Sequence, residues 1–343
     1  MTIKHLGLPG GGAASIRLLG ALKKLHENNI WNEQNIESIH SVSAGTLLAV
    51  LIALKFDMDT IVDYMIGRPW DNVFQISLMN IFDVFAKKGF FGTETIETFM
   101  KPFFNTRDIS LDITMREFYE LTGVKLFCYA VEINSFQLIA ISNETFPDLP
   151  LLKAVHMSAA YPLMLSPVIL DGKCYVDGGI ITNYPITQCL KLYPEKEEVL
   201  GIGGSTRGTY NRDITEDTTL FEYLLELIYK IVVNVYERRI DFQNREDIPN
   251  YVEIEIPSVT ITNLQNAFSD IEERKKLLND GEISAQEFVD KKCIDNCQSE
   301  KEDEKSDGEE LCVAIDKQTR EDIGSKKFDT LDTPWCFDNM PIV

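Results

Sequence analysis

The stretch His40-Ser41-Val42-Ser43-Ala44-Gly45 constrains this chain most tightly. An apolar-edged segment, Ile36 to Ile39, runs into it, and an unbroken apolar helical pattern from Thr46 to Leu54 leaves it at once. A strand that turns sharply into a helix with Ser-x-Gly at the corner is the arrangement of a nucleophile elbow. Small neighbours let the turn close, and the hydroxyl then stands at a helix N-terminus among backbone N–H groups. The usual pattern is Gly-x-Ser-x-Gly; here Ser41 takes the place of the first glycine. The plainer reading is a strand-to-helix turn with a capping serine, and this stretch alone does not choose between the two.

Two further segments bear on the choice. Lys4 to Leu8 reads as a first strand, Pro9-Gly10-Gly11-Gly12-Ala13-Ala14-Ser15 as a loop, and Ile16, Leu18, Leu19, Leu22 and Leu25 as the apolar face of a helix. Such a loop presents successive backbone N–H groups at a helix N-terminus, which suits an anion. A nucleotide-phosphate loop would want Gly-x-Gly-x-x-Gly with a downstream acid, or Gly-Lys-Ser/Thr. This loop has neither in good form, whereas an oxyanion hole needs only glycine flexibility and donors. Farther on, Val168 to Val176 reads as a hairpin about Asp171-Gly172 and delivers Asp177-Gly178-Gly179, with Asn183-Tyr184-Pro185 beyond. An acid at a strand end before two glycines can be approached closely by another side chain, although turn aspartates are also common in Asp-Gly pairs.

Composition narrows the partners. With 33 basic and 54 acidic residues, the net charge of −21 argues against nucleic acid and disfavours simple electrostatic docking on anionic membranes. The 343 residues, 44% of them hydrophobic, suffice for a sizeable core in one large domain or two modest ones. Seven scattered cysteines and an N-terminus without a secretory pattern predict reduced thiols in a cytoplasmic setting, with peripheral membrane contact compatible with it. No apolar run is long enough to span a bilayer. Cys293, Cys297, Cys312 and Cys336 match no usual zinc spacing, so free thiols are the expectation and no metal site is assigned.

The rest of the chain supplies scaffolding. Val124 to Ala130 and Gln137 to Ser142 read as strands, Leu151 to Ala160 as a helix stopped by Pro162, and Val199 to Gly204 as another strand. Leu220 to Arg238 is helical in pattern and Tyr251 to Ile256 alternates as a strand. Asn266 to Leu278 and Ser284 to Val289 read as two separate helices. Residues 55–110 are rich in aromatics, including Trp70, Phe74, Phe82, Phe85, Phe90 and Phe91. Their helical spacing favours core packing, and a lid or acyl-chain wall over Ser43 is the other reading.

In this order, Gly10-Gly11-Gly12, Ser43-Ala44-Gly45 and Asp177-Gly178-Gly179 resemble the patatin-like phospholipase family. Leu18 to Leu25 is similar to that family's first helix, Ala154 to Pro162 to its Ala-Ser-x-Ala-x-Pro helix, and Tyr175 to Pro185 to its aspartate motif. The resemblance covers about residues 1–205, more weakly to about 260. It implies an α/β fold, a three-layer sandwich with a mainly parallel central sheet flanked by helices. Residues 1–205 would be the catalytic core with a lid-like insertion at 55–110, residues 206–289 its mostly helical completion, and residues 290–343 an acidic flexible tail.

It also implies a lipid acyl hydrolase acting on carboxylic esters of phospholipids or related lipids. In that reading Ser43 is the nucleophile and Asp177 the general base. Gly10, Gly11 and Gly12 form the oxyanion hole, with Ala44, Gly45, Gly178 and Gly179 as supporting motif residues and no metal or organic cofactor. The family usually carries Lys or Arg where this chain has Ala14, and Gly where it has Ser15 and Ser41. Those departures define the alternative, a weakly active or inactive lipid-binding or regulatory relative. Of the histidines, His40 reads as packing or surface and His156 as a satisfied core residue, so a histidine triad is the weaker catalytic arrangement.

Overall fold

Strand β1 (His5–Leu8) shows how the sheet divides the molecule. Leu6 and Leu8 point into the main core, whereas His5 stacks on Tyr193 at 3.8 Å and a Cβ at Gly7 would meet Ile186 at 3.2 Å, both on the opposite side. The period of two thus faces each strand to a helical layer on both sides, as expected for a parallel sheet whose strands are buried on both faces. The computed structural model describes residues 2–74, 81–205, 213–237, 248–256 and 261–304.

The elements continue through α1 (Ser15–Glu27), β2 (Ser38–Val42), α2 (Ala44–Ala53), α3 (Met58–Gly67), α4 (Ile81–Lys87), β3 (Gly89–Phe91), α5 (Thr93–Thr106) and α6 (Met115–Thr122). Then come β4 (Lys125–Glu132), β5 (Gln137–Ile141), α7 (Leu151–Ala159), β6 (Leu163–Leu165), β7 (Val168–Leu170), β8 (Lys173–Asp177), α8 (Ile186–Leu192), β9 (Val199–Ser205), α9 (Leu220–Glu237) and β10 (Asn250–Glu255). The main sheet runs β10-β9-β1-β2-β4-β8-β7, with β5 also paired to β4. The pairs from β10 to β4 are parallel, and those among β4, β5, β8 and β7 are antiparallel. A second, two-stranded parallel sheet, β3 with β6, was not expected from the sequence; its three-residue strands carry too little pattern to read.

Segments after residue 205 join the same core, with Val252, Ile254, Ile256, Ala285 and Val289 all buried in it. The two helices expected near the C-terminus are instead divided at Asp270, into Ile261–Ser269 and Ile271–Glu304. Arg274 caps the first by donating to the carbonyls of Ala267 and Phe268, both at 3.0 Å, and Asp270 Oδ1 accepts from the Glu272 N–H at 2.8 Å to start the second. The second then runs straight through Gly281, against that residue's low helix propensity. A Cβ at Gly281 would lie 1.9 Å from the Arg17 carbonyl, so glycine is what lets this helix cross α1. From Ile294 onward the chain is described only to Glu304; the remainder of the expected acidic tail, with Cys312 and Cys336, lies outside the described residues, as does the side chain of Cys297.

The aromatic stretch is mostly core. Trp70, Phe91, Phe99 and Phe103 are buried, and Trp70 stacks on Phe99 at 5.1 Å. Phe85 is exposed, and Ile76, Leu78, Met79 and the side chain of Phe82 lie outside the described residues. Thr93, the first residue of α5, does not cap the helix; its hydroxyl bonds His156 Nδ1 at 2.7 Å.

Candidate active site

Strand register brings the first two site residues together. β2 runs parallel to β4 and ends with Val42 opposite Tyr129. β8 runs antiparallel to β4 and ends with Asp177 opposite Ala130. Because β5 occupies the other edge of β4 at both positions, β2 and β8 share one edge and converge head to head. Ser43, one residue past β2, therefore meets Asp177, the last residue of β8.

Ser43 has φ +54° and ψ −134°, a backbone conformation that costs a non-glycine residue about 1–3 kcal/mol. It sits at the N-cap of α2 without capping it, so its hydroxyl is not spent on the helix. Its own N–H donates to the Ser158 carbonyl and hydroxyl, both at 3.1 Å. Ser158 in turn donates to the Tyr129 carbonyl at 2.8 Å and bonds the Thr46 hydroxyl at 3.1 Å. This buried chain ties the corner to α7 and β4 and holds the turn in its strained shape.

Asp177 is 1% exposed. Its Oδ1 accepts from the Gly179 N–H at 2.7 Å, which places Gly178 and Gly179 as the turn that orients the carboxyl. Its Oδ2 is buried without a well-formed hydrogen bond, which leaves it open to the Ser43 hydroxyl. Burial pushes the carboxyl up to a pKa of about 7, against the smaller downward pull of the Ser43 hydroxyl and the Gly179 N–H. A carboxyl poised there is suited to accept and return a proton near neutral pH.

The glycine loop lies over the same point. A Cβ on Gly10 would come within 2.6 Å of Ser43 Cβ and of Asn183 Oδ1, so only glycine allows this approach. Asn183 grips Gly10 from both ends, accepting from its N–H at 3.1 Å and donating to its carbonyl at 3.0 Å. The Gly10 amide, expected among the oxyanion donors, is thus committed to Asn183, and among the described residues the Gly11 and Gly12 amides have no such side-chain partner. Ala14 is buried, and Arg17, the nearest arginine in sequence, pairs with Asp280 at 2.9 Å.

A largely apolar cavity of about 220 Å³ opens from this corner. Leu47, Trp70, Phe99, Val232 and Phe268 are among the side chains that line it, so the aromatic insertion is both core and cavity wall. Among the described lining residues Arg274 is the one cation; it is buried and also donates to the Ile66 carbonyl at 2.9 Å.

Neither candidate histidine takes part. His40 is fully buried, stacks on Phe127 at 4.3 Å and bonds the Tyr129 hydroxyl at 2.8 Å, and burial pushes its pKa down to about 3. His156 bonds Thr93 and the Ser166 carbonyl, the latter at 2.9 Å, as a satisfied core residue. Sequence reasoning missed the roles of Ser158 and Asn183, although both lie in the segments it singled out.

The sequence profile of the patatin-like phospholipases matches residues 6–190, more than half of the chain. The chain belongs to this patatin-like family. It is 29% identical over 185 residues to "Uncharacterized protein R571" of Acanthamoeba polyphaga mimivirus, covering 54% of this chain and 61% of that one. It is 27% identical over 197 residues to "Probable lipid hydrolase 463L" of Invertebrate iridescent virus 6, covering 57% and 66%. The aligned part is thus less than two thirds of either viral relative. VipD from Legionella pneumophila shares the fold with a TM-score of 0.51 at 17% identity, over 85% of this chain and 67% of that one. Within this patatin-like fold the Ser43 corner, the glycine loop and the aspartate turn together line the apolar cavity. Among the described residues no helix is long and apolar enough to cross a membrane.

Proposed function

We propose that this protein is a lipid acyl hydrolase that cleaves carboxylic esters of phospholipids or related acyl lipids with a Ser43–Asp177 dyad. The observation that carries this reading is a strained serine facing a buried carboxyl of raised pKa in the wall of an apolar cavity. The acyl chain occupies the cavity and brings its ester carbonyl to Ser43. Asp177 takes the proton as Ser43 Oγ adds to the carbonyl carbon, and the Gly11 and Gly12 amides receive the oxyanion, an effect worth roughly 3–4 kcal/mol per donor. Collapse expels the alcohol, which leaves with the proton from Asp177, and an acyl-Ser43 ester remains. Water, deprotonated by Asp177, then adds to that ester, and as the intermediate collapses Ser43 Oγ leaves with the proton from Asp177, freeing the fatty acid and restoring the dyad. The acidic composition suits neutral or zwitterionic lipid surfaces.

A non-catalytic lipid-binding role is the second reading, favoured by the absence of a cation at Ala14. Fatty-acid release from mixed phospholipid vesicles, measured beside Ser43→Ala and Asp177→Asn, separates the two. Loss of release in both folded variants supports the dyad. No release and no fluorophosphonate labelling by the unmutated protein would favour the binding role.

A further inference from the structure

Ser15 follows the glycine loop, directly after Ala14. It is the first residue of the 13-residue α1, and it is 7% exposed. Its hydroxyl is buried yet has no hydrogen-bond partner. The same residue lines the cavity, and its Oγ lies 3.3 Å from where a Cβ on Gly11 would stand, against the loop whose next-door glycine abuts Ser43. A buried hydroxyl without a partner is destabilising, and one that persists calls for a reason other than packing. The Ser15 hydroxyl lies beside features that favour negative charge: the positive end of α1 and the backbone of the Gly11–Gly12 loop.

We propose that Ser15 Oγ donates a hydrogen bond to the oxyanion that develops on the substrate at the glycine loop. The proposal rests on the hydrolase reading above, and it adds a catalytic residue to that site. No covalent step is involved: the hydroxyl keeps its proton, and the bond strengthens as charge moves onto the carbonyl oxygen.

The test uses the full chain with Ser15→Ala and Ser15→Gly, a short-chain nitrophenyl ester, phosphatidylcholine vesicles and a fluorophosphonate probe of Ser43. In both variants kcat is expected to fall about ten- to a hundredfold on both substrates, with KM changed by less than about twofold and labelling slowed in step. The melting temperature of Ser15→Ala is expected to stay the same or rise, because an unsatisfied buried group is removed. A structural role gives a different pattern: Ser15→Gly, the poorer helix former, would lose more activity than Ser15→Ala, and activity would follow melting temperature. That pattern, an unchanged kcat, or a loss confined to the phospholipid would overturn the proposal. An unmutated protein that neither hydrolyses nor labels would instead refute the hydrolase reading beneath it.

Discussion

Asp177→Asn should abolish ester hydrolysis and at the same time make the protein more stable in alkaline buffer. The folded protein holds this carboxyl at a pKa of about 7, whereas the ordinary value is 3.8. The folded state therefore binds the proton more tightly than the unfolded chain. Stability is fully present below the ordinary value and is lost as pH rises from there through about 7, where the carboxylate must form inside the protein. A gap of roughly three pH units corresponds to about 4 kcal/mol near pH 8, and because the group is almost wholly buried there is little solvent screening to discount. Asparagine has nearly the same shape, its carbonyl can still accept from the Gly179 N–H, and it never ionises. Urea unfolding, read from the buried Trp31 and Trp70, should show the variant about 4 kcal/mol more stable than the unmutated protein near pH 8 and close to it in stability near pH 4. Equal stabilities at both pH values, or a variant that is weaker at pH 8, would refute the claim that burial controls this carboxyl.

Three further outcomes are expected. The kcat/KM for a short-chain ester should rise with pH and reach half its plateau near 7, since Asp177 must be ionised to take the Ser43 proton; a flat profile from pH 5 to 9 would contradict its role as base. Both Ser43→Ala and Ser43→Gly should be inactive, but the glycine variant should be the more stable by about 1–2 kcal/mol because φ +54° strains only a residue with a Cβ; denaturation midpoints check this. Asn183→Ala removes both hydrogen bonds to Gly10 and should cost about 1–3 kcal/mol in stability, with kcat falling more than KM in steady-state kinetics as the loop loosens.

Legibility in the sequence followed the strength of each local signal. β1, β4, β5, α7, β7, β8, β9, α9 and β10 lie within a few residues of where apolar period and turn residues place them, since each has its own bounded pattern. The long C-terminal helix was misread at Gly281, because the helix crossing that favours glycine there involves a backbone more than two hundred residues away. The aromatic insertion was legible as apolar but not as cavity wall, because lining a cavity depends on the partners across it. The glycine loop was legible as a loop, yet the commitment of Gly10 was not, because its partner Asn183 arrives from a distant turn.

The local chemistry can be read from short stretches of the chain. A small-residue corner makes an elbow, a glycine run exposes amides, and an acid before two glycines ends a strand, all through the steric limits of the nearest few residues. How those pieces act together depends on the fold. Two strands of opposite direction end at neighbouring positions along one edge of β4, and that register joins Ser43 to Asp177. Burial of Asp177 to 1% exposure, which sets its proton affinity, is a property of everything packed around it. Local sterics act along the chain and can be read there; desolvation and register act across it and require the fold.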